Sequence, residues 1–392
     1  MPVRSNKYVN IRSSDKSNLG NSSGGIVGDY VISVNGKSGN VQLDAFDVNA
    51  MPLLKAIEGE LVLNDVKLCG YNTFHGQPLI TSVNAPNAEF VWFLNTFDGS
   101  SVEEIKGFGK VKSGNFYRAF YKCEKLTRIS DEAFSEFETG IYYQYGYFYG
   151  AFLETFYGTG IKTLPSNAFK KVVRFEQSSG ATDYCAKMFS GCFRDSAIEE
   201  LPEGFLGNID DSNSNFYYAF TEFYQMFRNS KLKRVPDGMF AKIKYTPYWQ
   251  FRECFMGCSD LESIPATFFD NILGAPDSDP DHGVYGLANM FNGCPKLEGN
   301  IVFKSLIKIG KNMLNGTFAG TKITSVSFPA LNTGSFEYAD NSSFGSMLGA
   351  VDGCVVHFPS NVQSVIGNWS SVTSGFGGTN TTVLFDLPAT EN

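Results

Sequence analysis

One line of sequence recurs along this chain, and it leaves few folds open. Its clearest copy is Cys254-Phe-Met-Gly-Cys-Ser-Asp-Leu-Glu-Ser-Ile-Pro-Ala-Thr-Phe268-Phe269: an aromatic anchor, Gly-Cys, Leu-x-x-Ile-Pro, then a Phe pair. Related lines carry anchors at Phe120, Phe156, Phe189, Phe227, Phe291 and Phe318, and a degraded copy is Met347-Leu-Gly349 with Cys354. From Phe120 to Phe318 the anchors are spaced, by subtraction, 36, 33, 38, 28, 36 and 27 residues apart. Inside the unit two apolar residues stay three apart (Leu126/Ile129, Ile161/Leu164, Ile198/Leu201, Leu232/Val235, Leu261/Ile264). Self-similarity at roughly 20–50 residues marks a solenoid, whose units bury their apolar faces only against their neighbours. The inner frame is constant, so the variable spacing comes from insertions.

The aromatic-x-Gly-Cys-x-x-Leu-x-x-Ile-Pro line resembles the BspA-like leucine-rich repeat of surface proteins, over about Phe116 to Ile366. The resemblance implies an α/β repeat solenoid, with a short strand at each Leu-x-x-Ile segment and turns and short helices around it. The irregular, aromatic-rich insertions depart from that family and argue against uniform curvature. We expect the solenoid over 116–358 and a C-terminal cap and tail over 359–392. Residues 53–115 lack the repeated line; Leu61-Val-Leu63, Leu79–Val83 and Phe90–Leu94 read as strands of a β-rich linker domain or an N-terminal cap.

A net charge of -8 with no basic run excludes a general nucleic-acid binder. No stretch reaches the ~18 apolar residues of a membrane span, and Met1–Lys7 has no signal-peptide core, so neither membrane insertion nor standard export is expected. Of eight cysteines, Cys123, Cys192, Cys258 and Cys294 read as one repeat slot that elsewhere holds Thr159, Ser230 or Thr321. Such a slot asks for a small, weakly polar side chain, so buried free thiols are expected rather than disulfides or zinc. His75, His282 and His357 stand apart in sequence, and no nucleophile elbow, zinc helix or phosphate loop is present. The loop Asp277-Ser-Asp-Pro-Asp281 is interrupted by Pro280 and lacks a closing glutamate, so it reads as a solvated surface loop. No catalytic residue, metal or cofactor is assigned, although a paired-carboxylate depolymerase leaves no local signature to search for.

Residues 1–28 are rich in Ser, Asn and Gly. Tyr30–Val34 and Val41–Leu43 then flank Asn35-Gly36, which reads as a hairpin because Asn-Gly tolerates the positive φ of a tight turn. Ser33-Val-Asn-Gly-Lys-Ser-Gly-Asn-Val-Gln-Leu-Asp-Ala-Phe-Asp-Val-Asn-Ala50 resembles a segment of bacteriophage fibre and appendage proteins, with Asn49 where that pattern has Gly. The resemblance implies a virion protein made in the host cytoplasm and attached through residues 1–52 to capsid or tail proteins, as a homotrimer. The attachment residues would be Val31, Val34, Asn35, Gly36, Lys37, Gly39, Val41 and Leu43. A virion protein leaves by lysis and needs no signal peptide; a bacterial surface adhesin of the same repeat type is the alternative.

Recognition chemistry concentrates in the insertions. Tyr142, Tyr143, Tyr145, Tyr147 and Tyr149 fall in one run, and Tyr217, Tyr218, Tyr224 and Trp249 belong to two more. Tyr and Trp are amphipathic and lose few rotamers on binding, which suits contacts to a host cell-surface glycan or protein. The anchor phenylalanines instead read as core.

Overall fold

The computed structural model describes residues 9–11, 41–43, 59–63, 72–140, 150–172, 188–210, 223–276 and 283–390. Each repeat brings the chain back in the same direction, so every strand pairing is parallel, and the chain winds as a β-solenoid of about 12 turns. The first sheet comprises β1 (Val9–Ile11), β2 (Val41–Leu43), β3 (Gly59–Val62), β4 (Ile80–Ala85), β6 (Glu104–Gly107) and β8 (Arg128–Ile129), side by side in that order. A smaller sheet on another side of the same turns joins β5 (Phe90–Trp92), β7 (Ser113–Asn115) and β9 (Thr139–Gly140). The C-terminal sheet is β10 (Glu298–Val302), β11 (Lys322–Ser327), β12 (Val355–Pro359) and β13 (Thr382–Leu387). Two short helices, α1 (Gln363–Ile366) and α2 (Ser370–Thr373), lie in the last turn.

Proline sets the strand lengths. Where the line reads Leu-x-x-Ile-Pro, with Pro165, Pro202, Pro236 and Pro265, the missing N–H ends the ladder at once. The pairing there shrinks to single bridges, Thr163 to Glu200 and Arg234 to Ser263. Ile301, Val326 and Val356 are not followed directly by proline, and their strands run five or six residues.

Two expectations change. The span 53–115, expected as a β-rich linker domain or N-terminal cap, is in its described part continuous with the repeats, because β3, β4 and β6 continue into β8 and share one core with them. The solenoid therefore begins well before its Gly-Cys line does. Val41–Leu43 is a strand, but it pairs in parallel with β1 on one edge and β3 on the other, so no edge remains there for a hairpin partner. The other half of that expected hairpin, residues 30–40, lies outside the described residues.

Ring columns fill the interior. Phe74, Phe97, Phe120, Phe156, Phe193, Phe227, Phe255, Phe291 and Phe318 stack along the axis, 5.1 to 5.9 Å between successive centroids. Near-parallel planes at this spacing are the offset stacks that aromatic quadrupoles favour. Four residues before each anchor runs a second column, in which Phe152 stacks on Phe116 at 5.1 Å and on Phe189 at 5.2 Å. A third, at the end of the strands, links Phe303, Phe328, Phe358 and Phe385. Phe189 is thus not the anchor of its turn; Phe193 is.

That shift corrects the cysteine slot. Counting three residues past each anchor, the slot holds Ser100, Cys123, Thr159, Ser196, Ser230, Cys258, Cys294 and Thr321, while Cys192 shares a different column with Cys254. The slot needs a weak donor. Cys123, Cys258 and Cys294 point Sγ at the anchor carbonyl of an earlier turn (Phe97, Phe227 and Phe255, at 3.0, 3.0 and 3.1 Å), and Thr159, Ser196 and Thr321 use the anchor carbonyl of their own. The six described cysteines are free and buried; burial pushes Cys123 and Cys258 up to about 12 and holds Cys192 and Cys254 well above the usual thiol range. Cys69 and Cys185 lie outside the described residues.

Backbone hydrogen bonds tie the anchor turns together. The anchor N–H and those two residues before and after it donate to the next turn, as in Gln225 to Arg252 (3.1 Å), Phe227 to Cys254 (2.8 Å) and Asn229 to Met256 (2.8 Å). The residues two before and two after adopt positive φ, among them Gln225 (55°) and Asn229 (58°). This explains the glycine of the repeated line. At Gly257 (φ 73°) a Cβ would also fall 2.3 Å from Asn229 Oδ1.

Candidate functional site: an aromatic and arginine strip on the anchor turns

The anchor points inward, so its immediate neighbours form an outer strip along the solenoid. The residue after the anchor is Tyr121, Tyr157, Arg194 and Arg228 on successive turns. The residue two before is Arg118, Glu154, Gly191, Gln225 and Glu253, and three before stand Tyr224 and Arg252.

These positions knit together. Tyr121 and Tyr157 stack at 4.6 Å, with the Arg118 guanidinium 4.8 Å from the Tyr121 centroid and its Nε 2.6 Å from Glu154. Arg194 donates to Gln225 at 2.7 Å, and Gln225 donates to the Tyr224 hydroxyl (2.8 Å) and to Glu253 Oε2 (2.6 Å). Arg228 reaches the same Glu253 oxygen at 2.5 Å, and Arg252 Nε lies 3.3 Å from the other. Arg252 in turn sits over Trp249 (4.5 Å) and Tyr285 (4.8 Å), and Tyr248 stacks on Trp249 at 4.9 Å.

The electrostatics follow from this packing. Tyr157 is pushed up to about 12, first by its hydrogen bond to Asp195 and then by partial burial. Burial, and then the Glu253 charge, raise Tyr224. Both phenols therefore stay protonated and able to donate.

Of the sequence-predicted residues, Tyr224 and Trp249 come together on neighbouring turns, 5.6 Å between centroids. Tyr142, Tyr143, Tyr145, Tyr147, Tyr149, Tyr217 and Tyr218 lie outside the described residues, as do Val31, Val34, Asn35, Gly36, Lys37 and Gly39. Sequence reading missed Tyr121, Tyr157, Arg118, Arg194, Arg228 and Arg252. Their signal was there as fixed offsets from the anchors, but only once the anchor register is right. The long insertions at 141–149, 173–187, 211–222 and 277–282 all occupy the same place in their repeats, just ahead of the next anchor turn. Among the described residues His357 pairs with Asp386 at 3.0 Å, far along the chain from this strip, and no group of acidic, Cys and His residues is arranged to hold a metal.

Fold and strip together define the class: a parallel β-solenoid with a polar aromatic band along its anchor turns. No protein-family model and no curated protein matches the chain. Among solved structures it is similar to the pneumococcal vaccine antigen PcpA, at 14% identity over 93% of this chain and 96% of that one, TM-score 0.35. It is also similar to a leucine-rich cell-surface protein from Faecalibacterium prausnitzii, at 15% identity over 97% and 88% of the two chains, TM-score 0.29. A leucine-rich-repeat protein from Bacteroides ovatus matches at 14% identity over 83% and 92%, TM-score 0.20.

Proposed function

We propose that this protein is a non-enzymatic display protein that binds a host cell-surface or mucosal ligand through the anchor-turn strip. The observation that carries the reading is the strip itself: aromatic rings and guanidinium groups, fixed by one another across successive turns. Preorganised Tyr, Trp and Arg side chains are what recognition surfaces use, because little rotamer freedom remains to be lost on binding. The resemblance of Ser33–Ala50 to phage appendage segments supports the wider setting. In it, residues 1–52 join the protein to a bacteriophage particle, at head or tail, as a homotrimer bound to capsid or tail proteins.

Labelled full-length protein incubated with host cells tests the binding: wild type should bind, and the Tyr224→Ala/Trp249→Ala double variant should lose at least tenfold in affinity. Light scattering of the full chain should return three copies, and antibody against it should decorate purified particles. A monomer absent from particles would sink the virion reading and leave a bacterial surface adhesin of the same repeat type.

A further inference from the structure

We propose that the Arg194, Arg228 and Arg252 cluster takes an acidic saccharide, one bearing carboxylate or sulfate groups; this rests on the binding reading above. Arg194 and Arg228 follow the anchors of consecutive turns, so their guanidinium groups lie in one column along the axis. Their side chains are 29% and 27% exposed, which holds the stem down while part of the fork faces solvent. Each fork is already oriented, Arg194 by Gln225 at 2.7 Å and Arg228 by Glu253 at 2.5 Å, while Arg252 is fixed over Trp249 and Tyr285. A guanidinium has five N–H donors; the Nε of each of these arginines is buried, so a ligand would be met by the Nη groups.

The charge balance selects the ligand. The carboxylate enclosed by this cluster is that of Glu253, shared by Arg228 and Arg252; Asp195 lies 3.5 Å from Arg194 at the margin and is also bound by Asn229. Among the described residues, three forks against these two carboxylates leave a local cationic excess on a chain of net charge -8. Planar forks match carboxylate and sulfate oxygens in paired contacts. Among the described residues, the exposed large hydrophobic side chains, Leu79, Tyr245, Val302 and Ile307, are not part of the cluster. The Tyr224 hydroxyl is a ready partner for saccharide hydroxyls.

Titration calorimetry on the full-length protein with hyaluronan, heparin and dextran oligosaccharides, and with a poly-glutamate peptide, tests this. Hyaluronan or heparin should bind and dextran should not, and affinity should fall as NaCl rises. Arg194→Gln/Arg228→Gln should weaken acidic-saccharide binding at least tenfold, while Lys162→Glu/Lys233→Glu on the strand face should leave it unchanged. Equal binding of dextran, salt-independent binding, equal or tighter binding of poly-glutamate, or an equal loss in the strand-face variant would each overturn the proposal. The salt dependence is read on wild type and stands even if a variant fails to fold. Host-cell binding without affinity for either acidic saccharide refutes this inference alone; loss of host-cell binding as well refutes the function on which it rests.

Discussion

The solenoid has two long polar surfaces built on one core, and they solve the same problem differently. On the strand face, opposite charges alternate from turn to turn: Glu199 bridges Lys162 and Lys233 at 2.9 and 2.6 Å, Arg234 meets Glu203 at 2.6 Å, and Lys296 meets Asp260 at 2.7 Å. The basic side chains here are 50–69% exposed, a setting in which ion pairs contribute little. On the anchor-turn face the charges are half-buried, the Glu253 side chain is only 10% exposed, and rings cover the guanidiniums. This second surface is rigid, desolvated and shaped. Equal charge content does not make equal surfaces; burial does.

Substitutions can break or sharpen that contrast. The largest effect belongs beneath the anchor face: Phe255→Ala opens a void between Phe227 and Phe291 and should cost about 4 kcal/mol in denaturant unfolding. Gly274→Ala should cost about 3 kcal/mol, because its φ of 105° is strained for alanine and the new Cβ would lie 1.9 Å from Lys308 O, forcing the turns apart. Arg228→Ala, which strips a charged partner from Glu253, should cost about 2 kcal/mol, and Arg228→Lys should recover only part of it. The counterpart on the strand face, Lys233→Ala, should leave the unfolding midpoint within error.

Acid sharpens the last point. Glu199 is held down to about 2, first by hydrogen bonds from Lys233 and Lys162. Its folded value lies below its ordinary 4.5, so any contribution is present above that value and fades as pH falls from 4.5 toward 2. NMR titration should show Glu199 moving back toward 4.5 in Lys233→Met, and in part on adding 1 M salt, which screens exposed charges. Tyr157 runs the other way. Its raised value means any contribution is present at neutral pH and is lost as pH rises from 10 through about 12. Asp195→Asn should bring its ultraviolet-detected titration down toward 10.

How much of this was legible follows from the anchor turn's own geometry. Constant spacing at Leu-x-x-Ile announced a solenoid, and four residues separating two ring columns hid its register. Phe189 and Phe193 both stack, both point inward, and the positive-φ residue between them, Gly191, supplies a plausible Gly-Cys to the wrong one. The strip stayed hidden for the same reason, since Arg194 is meaningful only as the residue after Phe193. Phe74 and Phe97 stack as the later anchors do; Phe97 keeps Gly99, Ser100 and the three-apart pair Val102/Ile105, whereas Phe74 keeps Gly76 but has Gln77 in the slot. The first turns thus kept the packing and a variant of the line without its cysteine, which is why they were passed over.

The bonds between anchor turns carry one more consequence. Three peptide groups per turn donate forward, and their own carbonyls accept from the turn before, as in 117/118 to 153/154 to 190/191 to 224/225 to 252/253. Peptides aligned head to tail add their dipoles. The N–H of each of these three peptides points toward the C-terminal end, the reverse of an α-helix, so the anchor side of the solenoid is electrically polar along its length. Over the described turns its negative end lies toward Phe74 and its positive end beyond Phe318. Anions are favoured at the far end of the array, cations at the near one, and each added repeat extends the same pole-to-pole axis.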